Sequence, residues 1–213
     1  MAWLMSSVYD RFMQASEEAC LGAWRAELLA GLAGDVLEVG AGTGVNLRYY
    51  PPSVSRLVLA EPDADMAKKL DVRVADHGRH HEHERVRIST TMADVEALPF
   101  EDASFDGVVA TLLLCSVKTP DRALAEILRV LRPGGSFVFL EHIGAKPHTG
   151  RRRWQGRIEP AWKHVAGGCH LTRDTGEAIA RAGFELENVK EESMRRAMPF
   201  LRPTIRGIGT KPK

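Results

Sequence analysis

The chain has 213 residues, of which 44% are hydrophobic and 27% charged, a composition typical of a globular protein. Its length is ordinary for one α/β domain and sufficient to bury a sizeable core. The net charge of +1 is unevenly distributed, because residues 1–145 hold 14 basic and 21 acidic side chains while residues 146–213 hold 15 and 7. The basic end is compatible with an anionic substrate or an acidic membrane surface, but a solvated face without a partner is the favoured interpretation.

The three cysteines, Cys20, Cys115 and Cys169, lie far apart and form no C-x-x-C pair. The sequence therefore predicts neither a disulfide framework nor a zinc site, and it indicates a reducing compartment. Residues 1–5 lack the basic start and apolar region of a signal peptide, and no apolar run approaches about 20 residues. We expect a cytoplasmic protein without stable membrane insertion. We also expect no nucleic-acid partner, because the sequence contains no basic segment interleaved with aromatic residues.

The first segment, residues 7–32, carries apolar residues mostly at helical spacing and predicts one or two helices ahead of the first strand. Residues 36–39 then form an apolar run with one carboxylate, Glu38, which predicts that strand. Gly40, Gly42 and Gly44 follow at alternate positions, so the backbone can turn tightly and approach a ligand without interfering Cβ atoms. A short helix over residues 45–49 is expected next, because the prolines at 51 and 52 would end it.

This glycine loop departs from the G-x-G-x-x-G pattern that binds dinucleotides, since Val45 takes the place of the third glycine. A carboxylate at Glu38 would repel a phosphate and attract a cationic group. E-x-G-x-G-x-G after a strand resembles the first motif of class I S-adenosylmethionine (SAM) methyltransferases, whose cofactor is cationic and lacks phosphate. The alternative is a glycine-rich turn without a ligand. The resemblance implies SAM as cofactor, S-adenosylhomocysteine as product, and cofactor contacts from Glu38, Gly40, Ala41, Gly42 and Gly44.

The second predicted strand, residues 56–61, ends in Glu61. In a doubly wound sheet its carboxyl end lies beside that of the first strand, where a carboxylate can accept bonds from ribose hydroxyls. We therefore predict that Glu61 and Pro62 bind the cofactor, the alternative for Glu61 being an acid at a helix N-terminus. The histidine run from His77 to His83 suggests metal binding by composition, but no spacing is that of a defined zinc site, so we expect a solvated connection without metal.

Residues 91–100 closely resemble the stretch after the third strand in SAM methyltransferases of the ubiquinone-biosynthesis type. The resemblance implies that Asp94 accepts a bond from the adenine amino group and that backbone near Val95 contacts the ring. The alternative is that Asp94 caps a turn. Residues 106–114 are typical of a central parallel strand ending near Leu112, which predicts that Thr111, Leu112 and Leu113 line the methionine end of the cofactor.

Cys115 is interpreted as an inert core thiol, since a free cysteine beside apolar residues usually is one. An amphipathic helix is predicted from residue 119, ended by the Pro-Gly-Gly of residues 133–135. The fifth strand is expected at residues 137–142. Residues 131–142 resemble the corresponding turn and strand of the same superfamily.

Between His142 and Leu171, prolines and glycines interrupt the pattern, and we expect an irregular insert over the active site. Its segments 159–164 and 168–174, with residues 112–117, resemble the thiol S-methyltransferase group, which comprises membrane-associated enzymes of animal microsomes and lipid droplets, and their bacterial relatives. This resemblance covers nearly the whole chain from Tyr9 and favours a thiol acceptor. Residues 9–12 resemble the entry segment of small methyltransferases, where an aromatic side chain helps to close the pocket.

The sequence thus predicts an α/β protein with a single doubly wound, Rossmann-like sheet of seven strands, the last antiparallel, and helices on both faces. Residues 1–213 would form one methyltransferase domain, with an N-terminal helical lid at residues 1–32 and a substrate-side insert at residues 142–171. We expect a monomer or a homodimer that acts on a small molecule.

The leading hypothesis for the reaction is an in-line displacement in which an acceptor lone pair attacks the methyl carbon of SAM. A thiol acceptor needs no strong base, whereas a phenol does. His142 is the first candidate for a general base or acceptor-positioning residue, followed by His170 and Tyr9. The alternatives are an O-, N- or C-methyltransferase of a natural product, quinone or lipid, a SAM-binding module without catalysis and, more distantly, a nucleotide oxidoreductase.

Overall fold

A computed structural model describes residues 13–80 and 86–213, so Tyr9 and part of the histidine run lie outside the described residues. The strands are β1 Gly34–Val39, β2 Val54–Ala60, β3 Arg87–Thr91, β4 Phe105–Thr111, β5 Leu131–His142, β6 Glu185–Ser193 and β7 Pro203–Thr210. They form one seven-stranded sheet in the order β3-β2-β1-β4-β5-β7-β6. Strands β1 to β5 pair in parallel, and β7 runs antiparallel to both β5 and β6.

Helices cover both faces of this sheet and bury two apolar clusters against it. Leu28 and Leu70 belong to the cluster on one face, whereas Leu124 and Ile179 belong to the cluster on the other. This arrangement confirms the doubly wound α/β fold. A π-helical turn, Glu17–Leu21, precedes α1, and the helices are α1 Gly22–Leu29, α2 Ala64–His80, α3 Pro120–Val130, α4 Gly150–Val165 and α5 Thr175–Arg181.

The register of the three central strands determines where a ligand can bind. Val39, the last residue of β1, pairs with Ala60 of β2 on one side and with Ala110 of β4 on the other. The residues that follow these strands therefore meet at one edge of the sheet. Parallel sheets form their ligand crevices at such carboxyl ends.

Two local predictions around the turns were wrong in detail. The glycine loop leads into a short 3-10 helix, Leu47–Tyr49, instead of a helix that starts at residue 45, because only a single turn fits before the two prolines. Strand β5 begins at Leu131, ahead of the Pro-Gly-Gly of residues 133–135. Leu131 pairs with Phe105, and Ser136 pairs with Gly107. A register shift between these two pairs accommodates residues 132–135, which include the Pro-Gly-Gly, as an irregularity within the sheet.

The expectation of an irregular insert over residues 142–171 was also wrong, because the segment contains the 16-residue helix α4. Thr149 caps this helix, its hydroxyl accepting a bond from the N–H of Arg152 at 3.2 Å. Pro160 lacks an N–H for the carbonyl of Gly156, but both residues are exposed, so water can hydrogen-bond to that carbonyl. Exposure thus makes a proline tolerable that would break a buried helix.

Within residues 13–80 and 86–213, no helix is both long and apolar enough to cross a membrane. The same described residues contain no group of three or more His, Cys, Asp or Glu side chains arranged to hold a metal ion. The absence of metal at the complete histidine run stays a prediction, because residues 81–85 lie outside this part of the chain.

The packing of β4 against the segment after α1 generates a stability prediction. A Cβ atom at Gly107 would lie 2.8 Å from Cδ2 of the buried Leu32, so we expect Gly107→Ala to lower the free energy of unfolding by about 1–3 kcal/mol. Urea unfolding monitored by circular dichroism measures this loss. Gly31→Ala is the control, since nothing lies within 4 Å of its added methyl group, and equal stability of the two variants would refute the packing argument.

Candidate active site

A cleft of about 610 Å³ opens at the carboxyl ends of β1, β2 and β4. Its volume is in the range of small-molecule sites. Nine of the predicted cofactor residues line it: Glu38, Gly40, Ala41, Gly42, Glu61, Pro62, Thr111, Leu112 and Leu113. The described residues that sequence reasoning did not assign to it include Arg25, Thr43, Val45, Asn46, Asp63, Met66, Ser116, Trp162, Val165, Ala166, Gly167 and Met198.

The glycine loop lines the cleft in a backbone conformation that residues other than glycine rarely adopt. Gly40, Gly42 and Gly44 have φ angles of +64°, +57° and +80°. An added Cβ at Gly40 would lie 2.6 Å from Cδ1 of Leu113, whereas one at Gly42 would meet nothing within 4 Å. Gly42 therefore leaves space for a ligand. Gly44 is not among the described residues that line the cleft, and an added Cβ there would lie 2.7 Å from Cδ1 of Leu70.

Glu61 connects the loop to the end of β2. One carboxylate oxygen accepts the N–H of Gly42 at 2.8 Å, and the other accepts the N–H of Asp63 at 2.9 Å. Burial raises the pKa of this carboxyl above its usual value, although the two backbone bonds act in the opposite direction. Each oxygen keeps a lone pair for a further donor in the cleft.

Glu38 is a buried carboxylate at the back of the cleft. It accepts bonds from Nδ2 of Asn46 at 2.8 Å and from the hydroxyl of Tyr50 at 2.7 Å. Burial outweighs these bonds and raises the pKa of Glu38 to about 7. The carboxyl group of Glu38 therefore changes its charge near neutral pH. When it is ionised, it can bind a nearby cation.

Arg25 extends from α1 into the same network. Its Nη1 donates to Oδ1 of Asn46 at 2.8 Å and to Oγ1 of Thr111 at 2.9 Å, while Nη2 pairs with Glu17 at 2.9 Å. The residue is 5% exposed and lines the cleft. A buried guanidinium beside a ligand cleft favours an anionic ligand group. The sequence contains one indication of this role: Arg25 is an arginine placed between the apolar residues of a predicted helix.

Asp94 and Val95 are not among the described residues that line the cleft. Asp94 is exposed, and its Oδ1 accepts the N–H of Glu96 at 2.9 Å, which is the turn-capping arrangement considered as the alternative. Val95 is buried in the apolar core. The segment nevertheless starts close to the cleft, because the carbonyl of Thr91 accepts the N–H of Glu61 at 3.0 Å.

The two histidines proposed for catalysis lie behind the cleft wall and are not among its described lining residues. His142 is 3% exposed; its Nε2 lies 3.3 Å from the carbonyl oxygen of Phe200, and its Nδ1 has no hydrogen-bond partner. His170 directs Nδ1 to Oε1 of Glu159 at 3.1 Å. Neither ring therefore reaches the cleft in this structure.

One part of the cleft lining is apolar and comes largely from the end of α4. Trp162, Val165 and Ala166 line it together with Met198, and Val165 and Met198 are 60% and 39% exposed. Trp162 packs edge-on against Phe200 with ring centroids 5.2 Å apart. Sequence reasoning assigned this segment to the substrate side but identified none of its individual residues as contacts.

The segment after β4 forms the remaining side of the cleft and is held by one buried carboxylate. Glu141 accepts the N–H groups of Leu113 and Leu114, each at 3.0 Å, and that of Cys115 at 3.3 Å. Burial raises the pKa of Glu141 to about 7 against the effect of these bonds. Leu112 adopts a φ of +56°, a strained value for this side chain that turns the chain sharply at the cleft.

Comparisons with known proteins agree with this arrangement. Residues 37–139 match a family described as "Methyltransferase domain". The thiol S-methyltransferase TMT1A of Homo sapiens is 39% identical over 176 residues, which cover 83% of this chain and 70% of that protein. The thiol S-methyltransferase TMT1B of Homo sapiens is 39% identical over 190 residues, which cover 86% and 74%.

Among solved structures, the geranyl diphosphate C-methyltransferase of Streptomyces coelicolor A3(2), crystallised with Mg²⁺, geranyl diphosphate and S-adenosylhomocysteine, superimposes with a TM-score of 0.67. The two proteins are 14% identical, and the alignment covers 90% of this chain and 79% of that one, so the likeness shows the fold. With the sheet order, the glycine loop and the two human relatives, it identifies the chain as a member of the class I SAM-dependent methyltransferase family.

Proposed function

We propose that this SAM-dependent methyltransferase methylates the sulfur of a small-molecule thiol. The observation that carries the proposal is the cleft itself, which joins a polar floor suited to SAM to an apolar wall for the acceptor, with neither His142 nor His170 among its described lining residues. A thiol is partly ionised near neutral pH, so it needs no strong base, whereas a phenol does. The two human thiol S-methyltransferases with 39% identity support the same acceptor.

The polar floor suits the two ends of the cofactor. We assign the ribose hydroxyls to Glu61, whose carboxylate oxygens retain lone pairs, and the close approach of the cofactor to Gly42, where space is open. Arg25 is suited to the methionine carboxylate and Glu38 to the ammonium group, because each carries the complementary charge at the cleft. Asp94 and Val95 remain the proposed adenine contacts, and Gly44 supports the loop.

When bound, SAM supplies a methyl group already activated by its sulfonium. The protein therefore needs chiefly to orient the acceptor and exclude water. Trp162, Val165 and Met198 offer the apolar surface for this purpose, while Thr111 and Leu112 border the cleft from the end of β4. His142, His170 and Tyr9 remain candidates for accepting a proton or positioning the acceptor. A cytoplasmic location and a monomeric or dimeric state stay predictions of the sequence.

The acceptor class is tested with SAM carrying a labelled methyl group and a panel of thiols, phenols and amines of similar size. We expect label transfer to thiols, with apolar thiols preferred over charged ones because of the apolar wall. Transfer only to phenols or amines would overturn the thiol assignment. Tight SAM binding measured by calorimetry, with no transfer to any acceptor, would instead identify a SAM-binding module.

The ribose assignment predicts that Glu61→Gln weakens SAM binding about 10- to 100-fold, the expected effect of losing hydrogen bonds to a charged group. Isothermal calorimetry measures the Kd, and thermal unfolding of the apo protein checks that the loop remains folded. Glu96→Gln is the matched control: its carboxylate accepts the N–H of Thr119 at 2.9 Å and is not among the described cleft residues. Equal Kd values for both variants would contradict the assignment.

The raised pKa of Glu38, about 7, predicts pH-dependent cofactor binding. The ammonium group favours the ionised carboxylate, so SAM affinity should rise about tenfold between pH 6 and pH 8 as the free protein loses that proton. Calorimetry at both pH values measures this, and Glu38→Gln should abolish the dependence. Glu141→Gln is the control, because Glu141 has a similarly raised pKa but is bound to backbone N–H groups; loss of the dependence there would refute the role of Glu38.

A further inference from the structure

Two cysteines far apart in sequence come together behind the acceptor side of the cleft. Cys115 follows β4 and Cys169 follows α4, and the N–H of His170 donates to the carbonyl of Cys115 at 2.8 Å. Both thiols are free, and each shifts the pKa of the other. Cys115 is buried, whereas Cys169 is partly exposed. A small reactant therefore has access to Cys169 first.

The surroundings of Cys169 favour negative charge on its sulfur. The neighbouring Cys115 thiol lowers the pKa of Cys169 most, and the rings of His142 and Trp162 lower it further. These two rings also contain buried nitrogens, Nδ1 of His142 and Nε1 of Trp162, that have no hydrogen-bond partner. An indole N–H is only a donor, and an imidazole N–H donates as well. A thiolate at Cys169 would offer both nitrogens the acceptor that they lack.

The two thiols differ in acidity. The Cys115 thiol lowers the pKa of Cys169 to about 5, with His142 contributing and burial opposing. The same pairing and burial raise the pKa of Cys115 well above its usual value. Cys169 is therefore the thiolate of the pair, and Cys115 is a thiol that loses its proton readily only after the neighbouring charge has gone. Glu141, Arg173 and the His170–Glu159 pair are the other ionisable groups of this region.

We propose that Cys169 and Cys115 form a peroxide-reactive pair, in which Cys169 is the oxidised cysteine and Cys115 resolves it to a disulfide. The thiolate of Cys169 attacks one oxygen of hydrogen peroxide, the O–O bond breaks, and hydroxide leaves, which converts Cys169 to a sulfenic acid. Cys115 then loses its proton and attacks that sulfur, so that the S–S bond forms and the S–O bond breaks with release of water. Two electrons pass from the two thiols to the peroxide.

The disulfide would join two walls of the cleft. Ser116, next to Cys115, and Gly167, two residues before Cys169, both line the cleft. An added Cβ at Gly168 would lie 3.1 Å from the carbonyl oxygen of Ser116, so the two segments already pack closely. Oxidation thus links the end of α4 covalently to the segment after β4. This inference does not depend on the identity of the methyl acceptor.

The test is treatment of the reduced full-length protein with one equivalent of hydrogen peroxide, followed by alkylation and peptide mass spectrometry. We expect a peptide that joins Cys115 to Cys169 with the loss of two hydrogens, reversed by dithiothreitol. Cys20 provides the internal control, because it is 1% exposed and its sulfur accepts the N–H of Arg195 at 3.3 Å. Cys169 should be consumed at least about tenfold faster than Cys20.

Two variants separate the steps. In Cys115→Ser, peroxide should leave a sulfenic acid at Cys169 that dimedone traps, and no internal disulfide should form; Cys20→Ser should behave as the wild type. If Cys115→Ser fails to fold, peptide mapping of the wild type alone still decides. The proposal is overturned if wild-type Cys169 accumulates as sulfenic or sulfinic acid without a disulfide, if Cys20 reacts as fast, or if none of the three cysteines is oxidised.

Discussion

The parallel pairing of β1 with β2 and β4 is the constraint on which the rest of the structure depends. Because Val39 aligns with both Ala60 and Ala110, the backbone beyond these strands converges at one edge of the sheet. The glycine loop, Glu61 and Thr111 consequently share one cleft. The hydrogen bond from Gly42 to Glu61 then holds the loop to the neighbouring strand end, so a single carboxylate links the strand register to the cleft.

Buried charge gives this site its chemical character. Glu38, Asn46, Thr111 and Arg25 form a continuous hydrogen-bonded network at the back of the cleft, with Glu17 completing the pairing of the guanidinium. Burying a carboxylate and a guanidinium is costly unless each is partnered. Here both charges, with Asn46 and Thr111, also line the space for a ligand. A zwitterionic cofactor end would supply a further partner to both charges.

The surroundings of His142 and Cys115 come from segments that are distant along the chain, so their position in the sequence did not predict them. His142 is the last residue of β5, yet its Nε2 lies 3.3 Å from the carbonyl oxygen of Phe200 and the residue is not among the described cleft residues. Cys115, expected to be an inert core thiol, is buried, and its carbonyl accepts the N–H of His170 at 2.8 Å, so its segment packs beside the one that carries Cys169. No local motif predicts this contact.

The sequence by itself determined the fold class and nine residues of the cleft, because the glycine spacing and the strand-end position of Glu61 are local properties that backbone conformation and strand periodicity dictate. It did not predict helix α4, whose Pro160 is tolerated only because that face is exposed. Tertiary structure alone decided that Arg25 enters the cleft, that Trp162 and Met198 form its apolar wall, and that Cys115 meets Cys169. These contacts join segments distant along the chain, so no pattern within a single segment records them.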